Sequence, residues 1–342
     1  MSMTWKAAVA GSVAALVALT GCGTSGGGGG SSEEGGTTLS LVGFAVPEKA
    51  NKDIQAAWAK TDDGKGVTWK TSYGASGDQS RAVESGLDAD YVHFSLEGDV
   101  TRLVDAGLVA DDWNAGENKG IVSQSVVALV VRKGNPKNIQ GWDDIVKPGV
   151  GIVTPNPGSS GSARWNIMAA WNHVIAQGGS EAEATAFVTK FFDNAVALPG
   201  SGREATTAFT SGNGDVLISY ENEAILARAN GEDFDYIVPD DTLLIENPGA
   251  VLEDADPKAQ KWLDFLLTDE AQAIFGKDGF RPLSGEVDYD VEGANDPGNP
   301  FPEPQDLATI GDDYDGWSAV NDKFFDEENG VITKIQAETG KQ

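Results

Sequence analysis

Short runs rich in β-branched and aromatic residues alternate, along most of this chain, with stretches whose apolar residues recur at helical spacing. TLSLVGF (38–44), VTWKTSY (67–73), YVHFSL (91–96), SVVALVVRK (125–133), GIVTP (151–155) and DVLISY (215–220) read as strands. Helices are expected over 47–60, 78–85, 162–177, 181–194, 204–211, 221–230 and 257–275, with helical character again from 317 to 338. Such alternation specifies an α/β architecture with largely parallel sheets. No internal repeat is present. The segment 284–305, rich in Pro, Gly and Asp, reads as a long surface excursion. Its acidic residues lack the spacing of an EF-hand loop, so a solvated loop is expected there rather than a calcium site.

The amino terminus bears on compartment. One early cation, Lys6, precedes an apolar run over 7–19, and Leu19-Thr20-Gly21-Cys22 follows. The run is too short for a permanent membrane span and reads as a secretory h-region. The Leu-Thr-Gly-Cys sequence resembles a bacterial lipobox. That makes 1–21 a lipoprotein signal peptide and Cys22 the lipidated end of an exported protein, anchored to the outer face of the cell membrane. The alternative is an ordinary signal peptide with a chance cysteine. Cys22 is the one cysteine in the chain, so no intramolecular disulfide is available and packing must hold the fold. Residues 22–38 are dominated by Gly and Ser and read as a flexible tether. The remaining body is long enough for two domains of about 150 residues each.

Charge narrows the partners. Lys and Arg total 24 against 53 Asp and Glu, a formal net charge of −29. Nucleic acid and acidic lipid surfaces are poor partners for such a surface, and none is expected. A small anion would gain no long-range attraction from it and would have to be held by local dipoles.

Local dipoles are on offer at three strand-to-helix junctions. PNPGSSGSARWN (155–166) places Ser-Ser-Gly-Ser ahead of a helix, SYGASGDQSRAV places Gly74-Ala75-Ser76-Gly77 ahead of another, and PGSGREATTAF places Gly200-Ser201-Gly202 ahead of a third. Helix N-termini carry unpaired N–H groups and a partial positive charge, and glycine lets an anion approach the backbone closely. If the three converge, they form a cage of neutral donors. Charge-assisted hydrogen bonds of roughly 1.5–3 kcal/mol each would then offset the dehydration of a dianion. A plain N-cap is the other reading of Ser160.

An enzyme is the main rival class, and little supports it. The two histidines, His93 and His173, have no nucleophile motif beside them and read as packed or surface residues. A His/Cys metal cluster cannot be assembled, GSSGSAR lacks the Gly-Lys-Ser/Thr ending of a P-loop, and no cofactor is expected. Glu221 and Glu223, two apart on a helix, do not face each other as an acid–base pair should and suit a cap or hinge instead. A hydrolytic or structural surface lipoprotein remains as an alternative of another class. Trp58, Trp69, Trp142, Trp165 and Trp262 read as core throughout.

The run RKGNPKNIQGWDDIVKPGVGIVTPNPGSSGSARWNIMAAW (132–171) closely resembles the sulfate-binding proteins that serve bacterial ABC importers. SYGASGDQSRAVESGLDADYV, GNGDVLISYENEAILA, FLLTDEAQAIFGKDGFRPL and DGWSAVNDKFFDEENGVITKI extend the resemblance over roughly 39–335. It implies a two-lobed periplasmic-binding-protein-like fold of type II, with flanking helices and a hinge. Lobe 1 would begin with 39–124, lobe 2 would span 125–220, and 221–342 would return through the hinge to the rest of lobe 1 and a C-terminal helical tail. The resemblance further implies capture of a dehydrated sulfate, or thiosulfate, by neutral donors and delivery to permease subunits of an ABC importer. A monomer is expected. The matching positions are the backbone N–H groups of Val46, Ser76, Gly161, Ser162 and Gly202, the Ser160 hydroxyl, and Tyr220.

Four positions depart from the family pattern. Tyr220 stands where a tryptophan indole is the donor, Val46 where the pattern has aspartate, and Ser162 and Glu204 where it has glycine. A phenol donates from another point in space than an indole and, unlike it, accepts. Sulfate needs donors alone, whereas hydrogen phosphate would call for an acceptor, so phosphate or molybdate is the alternative ligand. Glu204 is expected to face solvent at its helix start. Arg203 is expected near the ligand without touching it.

Overall fold

The computed structural model of the chain describes residues 36–341. The expected signal peptide, Cys22 and most of the tether lie outside the described residues.

Both halves of the molecule are built from strand–helix units. β1 (Thr38–Phe44), α1 (Glu48–Trp58), β2 (Thr68–Gly74), α2 (Ser76–Glu84), β3 (Tyr91–His93) and α3 (Glu97–Asp105) form the first three units. β1 runs parallel to both β2 and β3, and its residues Leu39, Leu41, Val42 and Phe44 are buried. The second half opens with β4 (Ile121–Arg132), followed by α4 (Trp142–Ile145), β5 (Ile152–Val153), α5 (Gly161–Ala176) and α6 (Glu181–Asp193). It continues through β6 (Ala195–Ala197), α7 (Gly202–Thr210), β7 (Val216–Tyr220), α8 (Glu221–Ala229) and β8 (Phe234–Ile237). β5 runs parallel to β6 and β7.

Two long strands run through the middle. β4 and β9 (Asp241–Val251) are antiparallel, and each changes partner along its length. The first half of β4, up to Val126, pairs with β9, while Val127–Val131 pair with β7. β9 pairs with β4 over Leu244–Pro248 and then passes to β3 over Gly249–Val251. The strand order is therefore β2-β1-β3-β9-β4-β7-β5-β6, with β8 on β4. Parallel pairing holds at both ends of this order, and the antiparallel ladders gather on the two crossing strands.

The chain then adds α9 (Lys258–Leu266) and α10 (Asp269–Lys277). The expected single helix over 257–275 is two, because Thr268 accepts a hydrogen bond from the Ala271 N–H and starts the second. After the excursion come β10 (Asp306–Ala308), α11 (Ile310–Asp313), α12 (Gly316–Val320), a π turn over Asn321–Phe325 and α13 (Val331–Thr339). β10 extends the far end of β9. The excursion is not wholly superficial: Val291 and Ala294 are buried against β8 and α8 residues such as Phe234 and Ile225.

Tryptophans stud the largest apolar cluster. Trp58, Trp69 and Trp262 meet edge-on or tilted, with centroids 4.8–5.8 Å apart. On the other side Trp165 meets Trp317 at 4.6 Å and Trp171 meets Phe324 at 4.8 Å, so the C-terminal helices are nailed to α5. Burial of one such ring contributes about 1.5–3 kcal/mol or more, which suits a fold that has no disulfide to lean on. Among the described residues no helix is long and apolar enough to cross a membrane.

Candidate functional site

Part of each Gly/Ser junction forms the first turn of its helix: Ser76 and Gly77 in α2, Gly161 and Ser162 in α5, and Gly202 in α7. α2 begins at Ser76 and α7 at Gly202, each two residues earlier than the apolar spacing indicated. The N–H groups of Ser76, Gly77, Gly161, Ser162 and Gly202 therefore belong to first-turn positions, where no intrahelical acceptor exists.

Hydrogen bonds between the loops bring these turns together. The Gly77 N–H donates to the Ser159 carbonyl at 3.1 Å, joining the start of α2 to the loop before α5. The Ser159 hydroxyl donates to the Gly200 carbonyl at 2.8 Å, and the Asn156 N–H to Pro199 at 2.8 Å, joining that loop to the one before α7. Close approach is obligatory at two glycines. A Cβ on Gly161 would stand 2.6 Å from Ser95 Oγ and 2.8 Å from Leu96 Cγ. One on Gly202 would stand 3.0 Å from Ser162 Oγ and 3.3 Å from Val46 Cγ2. Val46, Ser162 and Gly202 thus converge, and Ser76, Ser160, Gly161 and Tyr220 join them through Ser159 and Ser95. All seven are buried.

Ser160 answers the question its sequence raises. It occupies the N-cap position of α5 with extended backbone, yet its side chain makes no cap hydrogen bond. Its hydroxyl has no hydrogen-bond partner among the described residues, although the residue is only 3 % exposed. Ser201, at the start of α7, behaves in the opposite way: its Oγ accepts from the Glu204 N–H at 3.2 Å, and the Glu204 carboxylate accepts from the Gly200 N–H at 2.9 Å. Glu204 is exposed and engaged with its own helix.

Tyr220 closes the deep side. It is fully buried at the end of β7, and its hydroxyl lies 2.7 Å from Ser95 Oγ. Burial pushes the phenol well above its usual range, against the opposing effect of Ser162, Ser95 and Asn247, so it keeps its proton. One of the two paired hydroxyls spends its proton on the other, which leaves one proton to point elsewhere.

Ser95 is the residue that motif reading missed. Its N–H donates to Ser76 Oγ at 2.9 Å, and its carbonyl accepts from Trp165 Nε1 at 2.9 Å and Asn247 Nδ2 at 3.1 Å. Ser76 in turn donates to Asp99 at 2.6 Å. The signal was a further strand-to-helix junction, HFSLEGD, without the Gly/Ser signature; the strand ends at His93 and α3 starts at Glu97. Asp99 is buried, which raises its pKa, while Ser76 and the nearby Arg164, Arg102 and Arg81 pull it back down.

Several charged groups near the cluster are paired with one another. Arg203 forks onto Glu223 at 2.8 and 3.1 Å and also donates to the Val46 carbonyl at 3.2 Å. Glu221 is paired with Arg281 at 2.8 Å, so the two glutamates serve different arginines. His93 is buried between Asn51 and Ser123, and desolvation lowers its pKa to about 3, which keeps it neutral. His173 lies 2.5 Å from Asp241; burial disfavours its charge, but Asp241 and Asp143 outweigh that and raise its pKa. Each histidine is thereby occupied in packing. No group of His, Cys, Asp and Glu suited to a metal ion occurs among the described residues.

A family model described as a bacterial extracellular solute-binding protein matches residues 39–281. A sulfate-binding protein of Synechococcus elongatus is 40% identical over 337 residues, covering 95% of this chain and 94% of that protein. A thiosulfate-binding protein of Pseudomonas aeruginosa is 37% identical over 248 residues, 69% of this chain and 74% of that one. Among solved structures, the sulfate-binding protein SubI from Mycobacterium tuberculosis matches with a TM-score of 0.79 and 43% identity, over 85% of this chain and all of that one.

Proposed function

The chain belongs to the bacterial extracellular solute-binding proteins, and on that premise we propose that it captures sulfate, or its near analogue thiosulfate, and hands it to the permease of an ABC importer. The observation that carries the reading is the convergence of first-turn N–H groups with the hydroxyl of Ser160, which its own helix does not use. Sulfate carries no proton at neutral pH and needs donors only; the Val46, Ser76, Gly161, Ser162 and Gly202 N–H groups, the Ser160 hydroxyl and Tyr220 supply them. Arg203 and Glu204 stand beside the ligand without touching it. The protein performs no chemistry on its cargo.

In this reading lobe 1 starts with 39–124 and lobe 2 spans 125–220, with the later residues returning through β9. The hinge lies where β4 exchanges β9 for β7, at Val126 and Val127. An anion that bridges donors from both lobes has higher affinity for the closed form and so shifts the population toward it. The closed form is what the permease docks. The molecule acts as a monomer, tethered to the cell membrane by lipid on Cys22.

A second ligand class has one observation in its favour. The Ser95–Tyr220 hydroxyl pair can reverse its direction and present a lone pair. Such an acceptor would tolerate the proton of hydrogen phosphate. Calorimetric titration of the ligand-free protein with sulfate, thiosulfate, phosphate and molybdate separates these cases. Sulfate or thiosulfate is expected to bind tightest. A preference for phosphate would transfer the assignment to the hydroxyl pair, and no binding of any of the four would remove the oxyanion reading altogether.

A further inference from the structure

The side chain of Ser162 stands among the donors to which its N–H belongs. A glycine at this position would supply that N–H equally, so the hydroxyl is an addition with no need in the backbone. No acidic side chain lies in the first turn of α5, and the Ser162 hydroxyl makes no hydrogen bond among the described residues. Nor is it sealed away: it borders open space, although the residue is only 4 % exposed. Its neighbours are those of the cluster. Ser162 Oγ stands 3.0 Å from the point where a Cβ on Gly202 would lie, and Val46 Cγ2 stands 3.3 Å from the same point. The two side chains thus flank the first turn of α7, one from α5 and one from the turn between β1 and α1. Arg203 donates to the Val46 carbonyl at 3.2 Å and holds that wall in place. Tyr220 is also near, since Ser162 is among the hydrogen-bonding neighbours that oppose the rise of its phenol pKa.

We propose that the Ser162 hydroxyl is a specificity determinant, which makes the cluster a site for four equivalent oxygens and so for sulfate against thiosulfate. The inference rests on the oxyanion reading above and deepens it. Added to the seven donors named there, this hydroxyl raises them to an average of two for each oxygen of a tetrahedral anion. Thiosulfate carries a sulfur in place of one oxygen, and sulfur is both larger and a weak hydrogen-bond acceptor. Whichever corner takes the sulfur, donors there lose their partner. A buried donor left unpaired costs more than a bond merely absent, so a site built to hydrogen-bond a group rejects the analogue that lacks it. With glycine at 162, the corner beside Gly202 would have fewer donors and more room, and the sulfur could settle there. Ser162 closes that corner in two ways, by its volume and by its proton.

The test is calorimetric titration with sulfate and with thiosulfate of the wild type, Ser162→Ala and Ser162→Gly, each freed of bound anion. Thermal melts check that the variants fold. The wild type is expected to prefer sulfate. Ser162→Ala removes the proton and keeps most of the volume, so it should weaken sulfate about tenfold and thiosulfate much less. Ser162→Gly also opens the space, and the preference for sulfate should fall furthest there. Alanine favours a helix and glycine opposes it, so a loss caused by fraying of α5 would appear in the glycine variant alone and weaken both anions equally. A sulfate-to-thiosulfate affinity ratio unchanged in both variants, or a wild type that binds thiosulfate more tightly, would overturn the selectivity role while leaving oxyanion binding intact. A wild type that binds neither anion would instead remove the parent reading and this one with it.

Discussion

The starts of α5 and α7 look alike in sequence, each a serine followed by glycine, and the structure uses them differently. At α7 the Ser201 hydroxyl caps its own helix and Glu204 reaches back to Gly200, so the side chains there serve the fold. At α5 the Ser160 hydroxyl caps nothing, though it is equally buried. Only the backbone of α7 remains free for a ligand, while α5 offers backbone and side chain together. A hydroxyl on a buried residue that is withheld from the helix it begins, and that keeps access to open space, is free to donate to a ligand.

The largest effect on this contrast should come from Gly161→Ala. Its Cβ would stand 2.6 Å from Ser95 Oγ, which forces α5 away from the Ser95 turn. Overpacking of this kind costs about 1–3 kcal/mol, so sulfate affinity should fall by up to roughly 100-fold while helix α5 itself is, if anything, favoured. An unchanged dissociation constant would break the claim that close approach matters there. Ser160→Ala should weaken binding about tenfold, ~1.4 kcal/mol, with little change in melting temperature. Ser201→Ala sharpens the comparison in the other direction. Loss of that cap should lower stability by about 1 kcal/mol and leave affinity near wild type, so equal affinity losses at the two serines would erase the distinction.

The smallest predicted effect lies away from both helix starts, at His173, whose pKa is raised by Asp241 and Asp143 over the opposing effect of burial. A raised folded pKa means that its stabilisation is complete below the unfolded value of about 6.5 and fades as pH rises through the folded value. Melting temperatures of wild type and His173→Gln should therefore differ most in mildly acidic solution and converge in alkaline solution. A gap that widens with pH would reverse the assigned sign.

How far the sequence could be read depended on whether the deciding interactions were local. β1, β7, α5 and α6 carry their periodicity within themselves and fall within a residue or two of where the apolar pattern places them. β9 does not: its Asn247-Pro248-Gly249 punctuates like a turn, and it is a strand because β4, β3 and β10 flank it. The same held at the site. The Gly/Ser junctions at Ser76, Ser160 and Gly202 were legible because glycine and serine are chemically conspicuous at a helix start. Ser95 was not, since it is tied to Ser76, Trp165, Tyr220 and Asn247 from distant parts of the chain. The division of labour between Ser160 and Ser201 was equally invisible, because both satisfy the same local rule.

The central claim is that neutral donors alone hold the anion. Its most direct test is sulfate calorimetry at one pH in two buffers of different ionisation enthalpy, which counts the protons exchanged on binding. Sulfate arrives without a proton, Tyr220 keeps its own, and no carboxylate needs to change state for the cluster to accept it, so the observed enthalpy should be the same in both buffers. Uptake of close to one proton per sulfate would contradict the account and show that a titrating group, rather than a neutral cage, receives the ligand.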